Sequence, residues 1–246
     1  MDSLQPPLPT PFALAALAAG RVEVRGQFVY GSNATLFVDV THEGRTIAAV
    51  YKPEAGGTPL WDFDARSLCR REAAAYLVGS TLGWDFVPPT VLRSDLPFGF
   101  GSLQAFIPHD PQQHFFTFSP ELRASLKSAV VFDLLLNNAD RKGGHLLLDA
   151  AGKIWLIDHG LCFHTENKLR SVIWDFGGRR VPRALLEDVR RLLQALQPEE
   201  ELGTALTALL STDEVQALRL RAERLLARPV FPRPSRRVRQ YPWPLV

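Results

Sequence analysis

Cysteine is scarce in this chain: Cys69 and Cys162 are its two, far apart and without a C-x-x-C pair. That spacing excludes a disulfide framework and a standard zinc site, and it fits a reducing compartment. Long apolar runs are also missing. The stretch 12–19 is the best candidate, and it falls well short of the about 20 residues needed to cross a bilayer. The opening Met1-Asp2-Ser3 lacks the basic segment of a secretory signal, so a soluble, cytoplasmic protein is expected. Charge of one sign is not in excess either. A formal net charge of +2 gives no argument for nucleic acid, and much of the positive charge is local, in Arg228, Arg233, Arg236, Arg237 and Arg239. No internal repeat is evident. A length of 246 residues fits one large domain or two small lobes around a cleft.

The elements that are present run from sheet to helix. Thr10-Pro11 supplies an N-cap followed by proline at the first helical position, so 12–19 reads as a short helix closed by Gly20. Alternating residues predict strands over 21–26, 34–41 and 45–51, the last two joined through His42-Glu43-Gly44 as a hairpin. Helical spacing over 68–82 ends at Gly83. Strands over 90–93 and 101–107 follow, and the polar stretch 108–119 reads as a linker. Ser119-Pro120-Glu121 starts a helix, and 129–136 forms a second. Leu146-Leu147-Leu148 and Ile154-Trp155-Leu156-Ile157 flank a turn over 149–153 and make the clearest hairpin. Helices over 183–196, 199–210 and 212–227 complete the pattern.

This order predicts an α+β protein with a small antiparallel-sheet lobe over 1–108 and a mainly helical lobe over 109–228. Residues 229–246 form a Pro/Arg-rich arm whose prolines favour extended chain. The arm either meets acidic lipid or nucleic acid, or straps Tyr241, Trp243, Leu245 and Val246 across the helical lobe. The strap is preferred, because the aromatic end would otherwise be exposed.

The hairpin is framed by polar residues that packing does not require. Asn137, Asn138, Asp140, Arg141, Lys142 and His145 stand before it, and Asp158-His159-Gly160 stands after it. A tight hairpin joins its ends, so His145 and Asp158 should be neighbours, with Asp140 on the loop leading in. Two carboxylates and an imidazole on one rim could hold a divalent cation. Upstream, Lys52 ends an apolar strand, where its ammonium could reach the phosphates of a nucleotide, and Glu72 on the next helix could hold it. His159 and His164 straddle Cys162 without a fourth ligand, so Cys162 reads as a small buried residue. Trp174, Asp175 and Phe176 lie in a loop, and Trp61, Phe63 and Trp84 read as packing residues.

The order strand lysine, helix glutamate, loop aspartate and hairpin-end aspartate resembles the protein-kinase-like superfamily. The Asp140-Arg141 start of the loop is similar to the D-R-H-x-x-N loop of phosphatidylinositol 3/4-kinases and HipA-type kinases. The resemblance covers 26–164 and is most specific over 137–160. It implies a two-lobed kinase fold, ATP and Mg²⁺ or Mn²⁺ as cofactors, and a hydroxyl acceptor. Asp140, Arg141 and Lys52 would be catalytic, with Asp140 orienting or deprotonating the acceptor and Lys52 held by Glu72 on the phosphates. Asp158 and His145 would hold the metal. Gly31, Ser32 and Asn33 would cover the phosphates, and the strand carrying Gln104, Ala105, Phe106 and Ile107 would offer backbone groups to adenine.

Three positions depart from the family pattern. The loop histidine is Lys142, the metal-binding asparagine is His145, and Asp-Phe-Gly has become Asp158-His159-Gly160. Imidazole suits manganese better than magnesium, so the site either favours Mn²⁺ or leaves His145 behind the ligands. The resemblance thus implies transfer of the γ-phosphoryl of ATP to a protein or small molecule, preferred over lipid. The alternatives are a nucleotide-binding pseudokinase or scaffold, and a protein AMPylase.

Overall fold

The computed structural model describes residues 10–28, 34–56, 62–235 and 239–246. Helix α1 (Thr10–Ala19) leads into β1 (Arg21–Gln27), β2 (Leu36–His42) and β3 (Arg45–Pro53). The β2–β3 turn holds two residues, Glu43 at φ 48° and Gly44 at φ 73°. Both are left-handed, as a twisted two-residue hairpin requires. Helix α2 (Leu68–Leu82) ends at Gly83, φ 70°, and β4 (Thr90–Arg93) and β5 (Gly101–Ala105) complete an antiparallel sheet in the order β1-β2-β3-β5-β4. β3 is therefore central, and its far end carries Lys52. Strand β2 begins two residues later than the sequence pattern predicts and β5 ends two residues earlier. The chain beyond Ala105 leaves the ladder toward Pro108, which has no N–H to donate.

Alternation in β2 and β3 buries Leu36, Val38, Val40, Ile47, Ala49 and Tyr51 on one face, which α1 covers with Ala13, Ala16 and Leu17. Each large aliphatic side chain buried this way contributes about 1.5–3 kcal/mol. Arg93 closes the open end of α1 by donating to the carbonyls of Leu17 and Gly20, at 3.2 and 2.6 Å.

The larger core forms around α4 (Lys127–Leu136), after the short α3 (Pro120–Ala124). It takes in the hairpin β6 (Leu146–Leu148) and β7 (Ile154–Leu156), then α5 (Arg183–Ala195), α6 (Glu201–Leu209) and α7 (Thr212–Ala227). Ala74, Ala75, Val78 and Leu82 of α2 belong to this core and not to the sheet's. Arg71 anchors the same helix, bonding to Glu214 of α7 and to the carbonyl of Cys162. Glu72 is thereby fixed to the helical part of the molecule. Cys162 is fully buried and Trp174–Gly177 form a turn. Phe63 is buried, Trp84 packs beside Phe86, and Trp61 lies outside the described residues.

The arm runs along the helical part. Phe231 is buried and paired to Arg179 and Gly178, Ser171 donates to the Gln240 carbonyl at 3.0 Å, and Gly143 donates to that of Leu245 at 2.7 Å. The aromatic end is not what is covered. Trp243 is 76% and Tyr241 47% exposed, so backbone bonds and Phe231 hold the arm, rather than its last rings.

Gly101 pairs with Pro53 in the β3–β5 ladder. A methyl group there would lie 2.5 Å from the Lys52 carbonyl oxygen and 2.6 Å from the Tyr51 ring. Gly101→Ala is expected to lower stability by about 1–3 kcal/mol through overpacking. Thermal denaturation followed by circular dichroism measures it; an unchanged midpoint would show that β3 yields freely.

Candidate active site

Lys52 leaves the central strand toward the helical part. Its Nζ bonds to Glu72 Oε1 on α2 and, at 3.0 Å, to Asp158 Oδ1 just beyond β7. Burial works against the ammonium charge, but the carboxylates of Asp158 and Glu72 outweigh it and hold Lys52 above its ordinary value. The Asp158 carboxyl is affected in the opposite sense. The enclosing cleft would raise it, yet Lys52 and His145 hold it well below the usual carboxylate range. Both groups are therefore ionised at neutral pH.

Asp158 has φ 61°, a conformation that side chains other than glycine rarely adopt. Bonds on both flanks impose it. The His159 amide donates to Glu72 Oε2 at 2.9 Å, and the Ile157 carbonyl accepts from Arg141 Nη1 at 2.7 Å. Arg141 is fully buried and forks onto Asp133 of α4, with Nε and Nη2 at 3.0 Å from its carboxylate. Nη2 also donates to His159 Nε2 at 2.8 Å. Burial, then the Arg141 charge, lowers His159 well below its ordinary value, so the ring is neutral and carries its proton on Nδ1. That atom has no hydrogen-bond partner among the described residues and stands 4.0 Å from Glu72 Oε2. The chain Asp133–Arg141–His159 thus braces the backbone around Asp158 from behind.

Arg141, expected among the catalytic residues, has a guanidinium that is 0% exposed and bonded to Asp133, His159 and the Ile157 carbonyl. Asp133 was not among the expected site residues. Its signal was a lone acid within an apolar helical run, 131–136.

The loop leading to the hairpin starts at Asn137, which ends α4 in the left-handed region at φ 56°. Its side chain donates to the carbonyls of His164 and Glu166 and accepts from the Lys168 amide. Asn138 Oδ1 accepts from the Asp140 amide at 2.9 Å, while Nδ2 donates to Asp133. Asp140 is thereby set at the cleft with Lys142 Nζ 3.2 Å away. Partial burial raises its carboxyl to about 6, with Lys142 opposing the shift and Asp158 adding to it.

His145 lies beside Asp158 as expected, Nε2 to Oδ2 at 3.2 Å. Burial pushes the imidazole down to about 4 despite the Asp158 carboxylate. The ring is neutral at pH 7, and with the Lys142 amide 3.5 Å from Nδ1, Nε2 carries the proton toward Asp158. The expected rim of two carboxylates and an imidazole does not form. Among the described residues no group of three His, Cys, Asp or Glu side chains could hold a metal ion. Asp140 is drawn instead to Lys142. The remaining donors suit a cation carried in on phosphates, since magnesium takes one or two protein carboxylates and fills its other positions with phosphate oxygens and water. Asp158 would be that carboxylate. His145 would join it through Nε2 only in its other tautomer.

Of the strand expected to meet adenine, Gln104 lies inside β5 with its side chain on Thr90 Oγ1 at 2.9 Å. The Ala105 and Phe106 amides are used by the carbonyls of Pro89 and Ala48. Ile107 lies two residues past β5, buried against Leu147 and Trp155 of the hairpin. Phe106 packs edge-on to Phe37. Gly31, Ser32 and Asn33 lie outside the described residues.

Comparison with known proteins follows the same lines. The model of a family described as phosphatidylinositol 3- and 4-kinase matches residues 70–218. Protein Rv2133c of Mycobacterium tuberculosis is 38% identical over 94% of each chain. The crystal structure of a Helicobacter pylori proinflammatory kinase, CtkA, superposes with a TM-score of 0.53 at 14% identity, covering 86% of this chain and 93% of that one. At that identity the superposition speaks to the fold, which is the two-lobed kinase-like α+β architecture.

Proposed function

The chain belongs to the phosphatidylinositol 3- and 4-kinase family, and we propose that it is an ATP-dependent phosphotransferase that carries the γ-phosphoryl group to a hydroxyl of a protein or small molecule. The observation that carries this reading is the bonded set Glu72–Lys52–Asp158, with the Asp140 carboxyl close enough for Asp158 to raise it.

Phosphoryl transfer asks mainly for position and charge neutralisation. Lys52, already held by Glu72, would place its ammonium on the α- and β-phosphates. Asp158, alone or with His145, would hold Mg²⁺ or Mn²⁺, which when bound neutralises phosphate charge. Asp140 would orient the acceptor hydroxyl and take its proton. A carboxyl raised to about 6 serves that role better near neutrality than an ordinary aspartate. Lys142 keeps a cation beside the approaching nucleophile. Arg141 and Asp133 would act through the backbone they hold.

Among the described residues no helix is long and apolar enough to cross a membrane. We place the activity in the cytoplasm and rank protein or small-molecule acceptors above lipid. The second reading, a nucleotide-binding module without turnover, is favoured by His145 Nε2 standing 3.2 Å from Asp158 Oδ2, against the oxygen that would hold the metal. AMPylation would use the same residues with the nucleotide reversed.

A pH profile tests the role of Asp140. The base must be ionised, so kcat/KM should fall as pH drops through about 6 and level off above it. A flat profile from pH 5 to 8 would remove Asp140 as the base.

A further inference from the structure

A cavity of about 390 Å³ is lined from α4, α7 and the arm, and Lys52, Glu72, Asp140, His145 and Asp158 are not among its lining residues. α7 contributes Arg221 and Arg224 and its C-cap Arg228, and Asn137 and the arm's Gln240 belong to the polar part of the wall. Leu134, Leu169 and Leu225 make an apolar part. Among the described residues no carboxylate lines it.

The charge here is unbalanced. On α5, Arg183, Arg190 and Arg191 each pair with Glu187 or Asp188. Among the described residues no carboxylate lies within ion-pair distance of Arg221, Arg224 or Arg228. Arg221 is braced by the carbonyls of Leu135 and His164, at 2.6 and 3.1 Å, while its Nη2 is buried without a hydrogen-bond partner among the described residues. A buried guanidinium nitrogen left unbonded is costly and rare. Burial, with Arg224 adding to it, pushes this guanidinium down to about 10. Two arginines on α7 and a third at its C-cap carry more positive charge than a carboxylate neutralises. Guanidinium forks match phosphate geometry, and the volume is that of a small-molecule site.

We propose that this cavity binds a phosphate-bearing amphipathic ligand, its phosphate on Arg221, Arg224 and Arg228 and its apolar body against Leu134, Leu169 and Leu225. The ligand would touch Asn137, whose neighbour Asn138 holds the Asp140 amide.

Calorimetry on the full chain with octyl phosphate tests the site. Arg224 and Arg228 are exposed, so Arg224→Glu and Arg228→Glu should fold normally. We expect one octyl phosphate per chain, no binding of octanol, and affinity reduced about tenfold or more in either variant. Lys52→Ala should bind as the unaltered chain does. Absence of saturable binding would overturn the proposal. So would binding that survives both arginine changes but fails in Lys52→Ala, which would put the ligand in the cleft. Arg224-dependent attachment to phosphatidylcholine vesicles containing phosphatidic acid would identify a lipid headgroup as the source of the phosphate. Binding of octyl phosphate without vesicle attachment would identify a soluble ester. None of these readouts depends on phosphoryl transfer.

Discussion

Asp140→Asn should give a folded protein that still binds nucleotide but transfers phosphoryl groups about 10²–10⁴-fold more slowly, the range for loss of a positioned acid–base group. Asparagine keeps the volume and can still accept a hydrogen bond, so the Asn138 bond to the residue's amide and the fold around it are untouched. What disappears is the carboxylate that takes the proton. Measuring nucleotide affinity and turnover on the same sample separates the two effects. Equal loss of affinity and turnover would mean that Asp140 shapes the nucleotide site rather than acting on the acceptor.

The largest loss of stability should follow Asp133→Ala. Arg141 is fully buried and Asp133 is its only ion-pair partner among the described residues. Removing one member of a buried pair leaves the other charge uncompensated, at about 3–5 kcal/mol. For a domain of this size each kcal/mol moves Tm by about 2–4 °C, so the midpoint should fall by roughly 6–20 °C. A double change, Asp133→Leu with Arg141→Met, should recover much of that stability, because an apolar pair avoids desolvating two charges. It should not recover transfer. Without the Arg141 bond to the Ile157 carbonyl, nothing from that side holds Asp158 in its left-handed conformation. Recovery of both would reduce Arg141 to a packing residue.

Much of this was legible in the sequence, and the failures have physical reasons. Helix α2, the β4 bounds and the β6–β7 hairpin follow from periodicity and from stop residues such as Gly83, whose φ is 70°. The pairing of Lys52 with Glu72 and of His145 with Asp158 follows from chain order, because a strand end, a helix turn and the two ends of a hairpin converge predictably. Side-chain direction does not follow from order. Arg141 stands next to Asp140 and looks catalytic, but neighbouring residues in extended chain point opposite ways, and the partner that turns Arg141 inward is Asp133, on another element. Lys142 competes for Asp140 in a way that no spacing rule expresses. The membership of α2 in the helical core depends on Arg71 reaching Glu214, 143 positions away.

Transfer itself is the most direct test of the central claim. The purified chain should be incubated with γ-labelled or α-labelled ATP in Mg²⁺ or Mn²⁺, beside Asp140→Asn and Asp158→Asn, with intact-mass detection of any adduct. The account predicts release or transfer of the γ-label, an adduct mass of one phosphoryl group where one forms, and loss of both signals in the two variants. Incorporation of the α-label would establish AMP transfer instead, and failure to bind nucleotide with either cation would contradict the kinase reading outright.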